Sequence, residues 1–142
     1  MLKIHKRISY ALITLNYIKE QEGPTSSREI AEKFNLPLEH IAKVLQSLVR
    51  AGIISSIQGP KGGYYLEQDL NCLSYLDLNS AVLGENGFHN CIHSDSCLLY
   101  ENCDVMLPIQ RLGNRIEQLL GQIPVAELLA EANTSTNAIC KE

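Results

Sequence analysis

The sequence has no apolar run approaching the roughly 20 residues that are needed to span a membrane. It also lacks a phosphate-binding loop, a nucleophile paired with a base, and internal repeats. We therefore expect neither a membrane protein nor an enzyme. The basic segment 1–7 leads into an amphipathic pattern, so we interpret it as the start of a helix and not as a targeting signal. On this basis we expect a cytoplasmic protein.

The net charge of −4 is unevenly distributed along the 142 residues. Residues 1–70 carry nine Lys or Arg and seven Asp or Glu, whereas residues 71–142 carry three and nine. A basic front half joined to an acidic back half fits a nucleic-acid-binding part joined to a sensing or pairing part. Chance asymmetry of this size is common in small proteins, so charge alone decides little.

Apolar spacing predicts three helices in the first 51 residues. The first covers 3–20, and its early Lys3, Lys6 and Arg7 stand where the helix dipole disfavours cations, either to meet phosphates or as a solvated terminus. Ser26 and Glu29 form a predicted capping box for a helix that ends at Phe34 and buries it. The third helix runs from Pro37 to about 51 with Leu38 facing inward, and glycine at 52 supplies its stop. Two short helices joined by a tight turn indicate a helix-turn-helix.

A β-hairpin follows this third helix directly. Residues 53–58 alternate as a strand does, Gly-Pro-Lys-Gly-Gly at 59–63 forms a tight turn, and a second strand begins at Tyr64. A hairpin directly after a recognition helix is the wing of a winged helix, whose tip lies over the DNA backbone or minor groove. The alternative is a purely structural hairpin with a solvated lysine.

The cleanest pattern lies in the back half, after a short predicted helix at 74–83. Apolar residues recur in steps of four, three, four, three and four, which is a heptad seam: Val105, Ile109, Leu112, Ile116, Leu119 and Ile123. Such a seam needs a partner, either the same helix of a second subunit or the chain's own first helix. Pro124 ends the helix, and a further short helix is predicted at 125–132.

Three cysteines, Cys91, Cys97 and Cys103, stand at equal intervals in a polar stretch without strong helix formers. Thiolates are soft ligands that suit iron–sulfur clusters or zinc, so we predict a metal site that needs one further ligand. Incidental buried thiols fit less well, because a buried cysteine is expected within an apolar run. Cys72 is predicted to be a core residue and Cys140 a free thiol in the tail.

Several of these segments together resemble the Rrf2 family of bacterial transcription regulators, the group that contains IscR and NsrR. The segments are Gly-Pro-Lys-Gly-Gly-Tyr at 59–64, the residues around 27–32 and 45–56, the three cysteines, and 123–129. The resemblance implies a winged-helix homodimer that binds double-stranded operator DNA. It also implies an iron–sulfur cluster in each subunit, near the dimer interface, that alters DNA affinity.

The fourth cluster ligand is open, because this chain departs from both patterns known in the family. In IscR-like members a histidine follows the third cysteine, and Met106 occupies that position here. In NsrR-like members an acidic residue in the first helix completes the site, and Ser9 occupies that position here. We rank His5 first, contributed by either the same chain or the partner subunit, and His93 second. His89 and Asp104 are further candidates. The cluster type, [2Fe–2S] or [4Fe–4S], therefore stays open. In the wing, Gln58 occupies the position where members that read the minor groove often carry an arginine.

The predicted fold is mainly α with a small β-hairpin: a winged helix-turn-helix domain at 1–73, a linker helix and cluster loop at 74–104, a dimerisation helix with a short C-terminal helix at 105–132, and a flexible tail at 133–142. The homodimer is predicted to form through the helix at 105–123. The predicted DNA contacts are Thr25, Ser26, Ser27, Arg28, Glu39, His40, Lys43, Gln58, Lys61 and Gly62.

The predicted function is a DNA-binding regulator whose cluster senses nitric oxide, redox stress or iron supply. One alternative keeps the fold and replaces the cluster by redox-active thiols or zinc. A more remote alternative is an iron–sulfur electron carrier or enzyme in which the helices only dock a partner.

Overall fold

The computed structural model describes residues 4–84 and 103–132, without the side chains of residues 131 and 132. These ranges contain one β-hairpin and six helices, which confirms the mainly helical fold with a small hairpin. The elements in chain order are α1 Lys6–Glu20, α2 Ser27–Phe34, α3 Leu38–Arg50, β1 Ile54–Ile57, β2 Gly63–Leu66, α4 Tyr75–Leu83, α5 Met106–Gly121 and α6 Val125–Ala132. No described helix is both long enough and apolar enough to cross a bilayer.

Side-chain caps fix where the N-terminal helices begin. The Oγ of Ser26 accepts the Glu29 N–H at 3.1 Å, as the sequence predicts. The Glu29 carboxylate, however, accepts the Tyr17 hydroxyl at 2.8 Å, so this cap joins α2 to α1. In α4, Ser74 and Asp77 form a complete capping box. Helix α1 begins at Lys6 and not at residue 3, because His5 acts as its cap.

One hydrophobic core is shared by α1, α3, α4 and the hairpin. Helices α1 and α3 each supply four core residues, and Ile41, Leu45 and Leu48 are fully buried along one side of α3. Helix α6 returns from the far end of the chain and adds Val125 and Leu129 to the same core. Burying each such side chain stabilises the fold by about 1.5–3 kcal/mol.

Three sequence predictions about burial are wrong. Phe34 is 38% exposed at the end of α2, where its ring meets the Tyr17 ring edge-on at 5.7 Å between centroids. Leu38 is 44% exposed because the first turn of α3 projects beyond the core. Cys72 is exposed in the turn where its N–H donates to the Asp69 carbonyl at 3.0 Å.

Helix α5 packs against α4, and a Cβ at Gly121 would lie 3.7 Å from the Leu76 side chain; Gly113 of α5 is also buried. The heptad seam occupies the neighbouring side of α5 and remains open: Leu112 is 58% exposed and Leu119 is 59% exposed. Val105 and Ile109 are also exposed, while the Ile116 side chain is half-buried. Among the described elements, α5 packs chiefly on α4, so packing of the seam on α1 is not the observed arrangement.

Candidate nucleic-acid interface and cysteine segment

The outer face of α3 is a polar stripe directed away from the core. Helix α2 ends at Asn35 in the left-handed conformation, with φ of 50°, and this turn leads through Pro37 into α3. The stripe is exposed along three helical turns and contains Glu39, His40, Lys43, Gln46 and Arg50. An exposed polar face on the second helix of such a pair is the surface that enters the major groove in helix-turn-helix proteins.

Two of the predicted base-reading residues form an ion pair on this stripe. The Nζ of Lys43 lies 2.8 Å from Oε1 of Glu39, one helical turn earlier. The ammonium group of Lys43 lowers the pKa of the Glu39 carboxyl below its ordinary value, so Glu39 is ionised at neutral pH. Both side chains are largely exposed, so the pair contributes little to stability. Its effect is to hold a carboxylate and an ammonium side by side on the reading face.

The loop before α2 is tied to the hairpin by a short antiparallel bridge. The Thr25 N–H donates to the Tyr64 carbonyl at 2.9 Å, and the Tyr64 N–H donates back to the Thr25 carbonyl at 2.8 Å. Thr25 itself is only 1% exposed. Of the residues predicted to meet phosphates here, Ser27 is half-buried and Arg28 is exposed. The bridge therefore joins the start of α2 directly to the wing.

The wing turn needs its glycines. The Gly62 N–H donates to the Gly59 carbonyl at 3.0 Å, and a Cβ on Gly62 would overlap the carbonyl oxygen of Ile57. A Cβ on Gly63 would lie 2.7 Å from the Thr25 carbonyl oxygen. Gln58 and Lys61 are exposed at the tip, where the structure leaves them accessible to a ligand.

A methyl group at Gly62 is expected to open the wing. The Gly62→Ala variant must move the backbone away from Ile57, and strain of this kind costs about 1–3 kcal/mol. We expect a lower free energy of unfolding in urea and weaker DNA binding in fluorescence anisotropy. Gly23→Ala is the matched control, because its Cβ would meet nothing within 4 Å. Unchanged stability and unchanged DNA binding in Gly62→Ala would contradict the tight turn.

The predicted metal ligands fall mostly outside the described residues. Cys91, Cys97 and His93 lie in the range 85–102. Cys103 is described: it is a half-buried free thiol three residues before α5 begins. Within 4–84 and 103–132, no group of three or more His, Cys, Asp or Glu side chains could hold a metal ion. The chemistry of the thiol at 103 and its partly sheltered position fit a soft metal or cluster ligand.

His5, the first-ranked fourth ligand, is engaged in capping α1. Its Nδ1 accepts the Arg7 backbone N–H at 3.2 Å, so the lone pair of this nitrogen is in use. Ligation through Nδ1 would remove this hydrogen bond. Ligation of the neutral ring through Nε2 would also remove it, because Nδ1 would then carry the proton. His5 can therefore bind metal only by giving up the cap.

The DNA contacts predicted on α3 are Glu39, His40 and Lys43, and they do not include Gln46 and Arg50, which are also exposed on this face. The structure adds that Arg7 of α1 lies beside this face, where it lines one cleft with Gln46 and Arg50. The only signal in the sequence was the unfavourable place of a cation in the first turn of a helix.

The family model described as Rrf2, iron-dependent transcriptional regulator, matches residues 4–131. The HTH-type transcriptional regulator IscR of Xenorhabdus nematophila is 29% identical over 112 residues, which cover 79% of this chain and 68% of that protein. The solved structure of CymR, the global cysteine regulator of B. subtilis, is 25% identical with a TM-score of 0.68, covering 92% of this chain and 98% of that one.

The solved structure of T. potens IscR shows the same fold, with a TM-score of 0.68 at 24% identity over 96% of this chain and 93% of that one. The described architecture, with a helix-turn-helix followed by a wing, agrees with these likenesses. The remote alternative of an electron carrier or enzyme finds no support in them. The chain belongs to the Rrf2 family and is a DNA-binding transcription regulator, not an enzyme.

Proposed function

We propose that the affinity of this regulator for operator DNA is controlled by an iron–sulfur cluster held by Cys91, Cys97 and Cys103. The observation that carries the proposal is the place of Cys103, half-buried and three residues before a helix with an open apolar seam. The iron-dependent description of the family and the similarity to IscR support it. The fourth ligand stays a prediction, with His5 ahead of His93.

A bound cluster would supply reactivity toward nitric oxide, oxidants or iron shortage. The chain's own contribution is mechanical, because Cys103 and the start of α5 are joined by only two residues. A change in the cysteine segment therefore acts on the first turn of α5 and on the seam beside it. If the seam joins two copies of the chain, it also sets the spacing of the two recognition helices. Half-sites about one helical turn apart, roughly 34 Å, tolerate little change in that spacing.

The same proposal assigns DNA contacts to three neighbouring surfaces. Glu39, His40 and Lys43 would face base edges in the major groove, and the start of α2 would meet the backbone. The wing tip would add backbone or minor-groove contacts through Gln58 and Lys61. The bridge between residues 25 and 64 joins the start of α2 to the wing, which supports the proposal that both contact the DNA together.

Replacing Glu39 by glutamine is expected to weaken sequence discrimination and strengthen non-specific binding. A carboxylate accepts a hydrogen bond from the cytosine amino group but is repelled by phosphates. Its removal also releases Lys43 from the ion pair with Glu39. We expect affinity for a random-sequence duplex to rise several-fold. In a selection from random DNA, the preference for the favoured base at one position should fall about tenfold. Glu20→Gln, at the C-terminal end of α1, is the matched charge control. An unchanged selected sequence would contradict a reading role for Glu39.

The proposed cofactor is tested by anaerobic purification, a visible absorption spectrum, and iron and sulfide analysis. A brown protein with thiolate-to-iron charge-transfer bands supports the cluster, and the iron count separates [2Fe–2S] from [4Fe–4S]. Variants of His5 and His93 then identify the fourth ligand. A colourless protein, even after reconstitution with iron and sulfide, would exclude the cluster.

The second candidate is a regulator of the same fold that responds through its thiols or through zinc. It is favoured by the likeness to CymR, by the exposed thiol of Cys72 and by the half-buried thiol of Cys103. Zinc and thiol forms are colourless, so the same spectrum separates the candidates. Metal analysis then separates zinc from free thiols, and thiol labelling after peroxide treatment shows which cysteine reacts.

A further inference from the structure

A cleft of about 430 Å³ lies between the first turn of α1 and the outer face of α3. It is lined by Arg7, His40, Lys43, Gln46, Ser47 and Arg50. The lining contains three cationic side chains, those of Arg7, Lys43 and Arg50, and no carboxylate. Such a concentration of like charge is unfavourable by itself, and it occurs on a chain whose net charge is −4. A bound anion would relieve this repulsion.

The two arginines of the cleft have no counter-ion in the described part of the chain. Lys43 pairs with Glu39, but the guanidinium groups of Arg7 and Arg50 lie within 4.0 Å of no described carboxylate. Arg7 is half-buried in the first turn of α1, which contains no acidic residue. A cation at that end of a helix adds an unfavourable interaction with the helix dipole. The position of Arg7 is thus not explained by an ion pair within the described residues.

The α3 side of the cleft continues the reading face. His40, Lys43, Ser47 and Arg50 follow one another at steps of three, four and three, so they line one side of the helix over about 15 Å. The Ser47 hydroxyl is satisfied by the Lys43 carbonyl at 3.1 Å. The hydrogen-bonding capacity that remains free is therefore mainly that of the cationic side chains and Gln46. Guanidinium groups bind phosphate oxygens in a bidentate geometry that lysine cannot provide.

We propose that this cleft is a phosphate-binding site, in which Arg7 and Arg50 hold phosphate of the DNA backbone beside the groove that α3 enters. The inference rests on DNA binding through α3 and makes α1 a second DNA-contacting element. Arg7 and Arg50 would add affinity without sequence preference, because backbone contacts carry no base information. The reading residues at the start of α3 would keep their role in specificity.

The test measures the salt dependence of binding to a 30-base-pair duplex of random sequence by fluorescence anisotropy. Each cation that contacts phosphate contributes about 0.9 to the slope of log affinity against log salt. Arg7→Gln and Arg50→Gln are each expected to lower the slope by about one and to weaken binding to all sequences alike. Lys19→Gln, about 18 Å further along α1 than Arg7, is the matched control and keeps the wild-type slope. Thermal melting verifies that each variant is folded.

Titration with inorganic phosphate, without DNA, distinguishes a site for the DNA backbone from a site for a free phosphate compound. If the duplex slopes are unchanged but both arginine variants lose phosphate binding, the site holds a free phosphate compound and not the DNA backbone. Wild-type slopes together with wild-type phosphate binding in both variants would overturn the proposal. If the wild-type protein fails to bind the random-sequence duplex while the phosphate titration still requires both arginines, the site holds a free phosphate compound and the DNA-backbone assignment is overturned.

Discussion

Replacement of Cys97 by alanine is expected to give a folded protein without visible absorbance, whose DNA affinity no longer changes with nitric oxide. A cluster held by three thiolates loses one of its ligands in this variant, and alanine offers no replacement. Among the described residues, the buried core is formed by side chains of residues 8–82 and of α6. The helix content in circular dichroism should therefore match wild type.

Cys72→Ala is the control for Cys97→Ala, because Cys72 is exposed and stands outside the evenly spaced triplet. This variant should remain brown and responsive. DNA affinity is measured anaerobically by anisotropy, with and without a nitric oxide donor, and the iron content of each sample is determined in parallel. A Cys97→Ala variant that still responds as wild type does would show that the cluster is not the switch.

A charge in the centre of the α5 seam is expected to separate the proposed homodimer into monomers. Leu112 is 58% exposed in the single chain, and a two-fold interface would bury it twice. Each leucine contributes about 2 kcal/mol when buried, so Leu112→Asp removes about 4 kcal/mol per dimer. The dissociation constant should rise by about a thousandfold. Operator binding should weaken as well, because two linked recognition helices no longer act together.

Sedimentation equilibrium measures this change against the chain mass of 15.8 kDa. Asn114→Asp is the control: it adds the same charge on the opposite side of the helix, about 200° around from Leu112. We expect this control to stay dimeric at concentrations where Leu112→Asp is monomeric. If wild type is itself a monomer at high micromolar concentration, the seam must be covered by something other than a second copy.

Local signals predicted most of the helices and the hairpin. Ser26 and Ser74 stand where their hydroxyls accept helix N–H groups, and the glycine at 52, with φ of +72°, stops α3 as its position indicated. The turn at 59–63 was predictable for a similar reason, since only glycine leaves room beside the Ile57 carbonyl. These features depend on neighbours in the sequence, which is why they could be identified without a structure.

Features that depend on distant residues could not be predicted in the same way. Apolar periodicity placed Phe34 and Leu38 in the core, but both stand at helix ends that project beyond it. The cleft between Arg7 and α3 arises from packing between residues some 40 positions apart. The engagement of the His5 lone pair depends on where α1 begins, which the periodicity left uncertain by three residues. The predicted cluster ligands Cys91 and Cys97 lie outside the described residues.

The return of α6 into the N-terminal core has a consequence for biosynthesis. Val125 and Leu129 fill space among side chains that are translated some 50 to 120 residues earlier, and Ser74 bridges to Pro124 beside them. A growing chain emerges from the ribosome in order, at about 5–20 residues per second, so this core stays incomplete until residues 125–129 have been made. Chains that stop early would expose apolar surface, and the cell could distinguish a finished regulator from a truncated one by its folding alone.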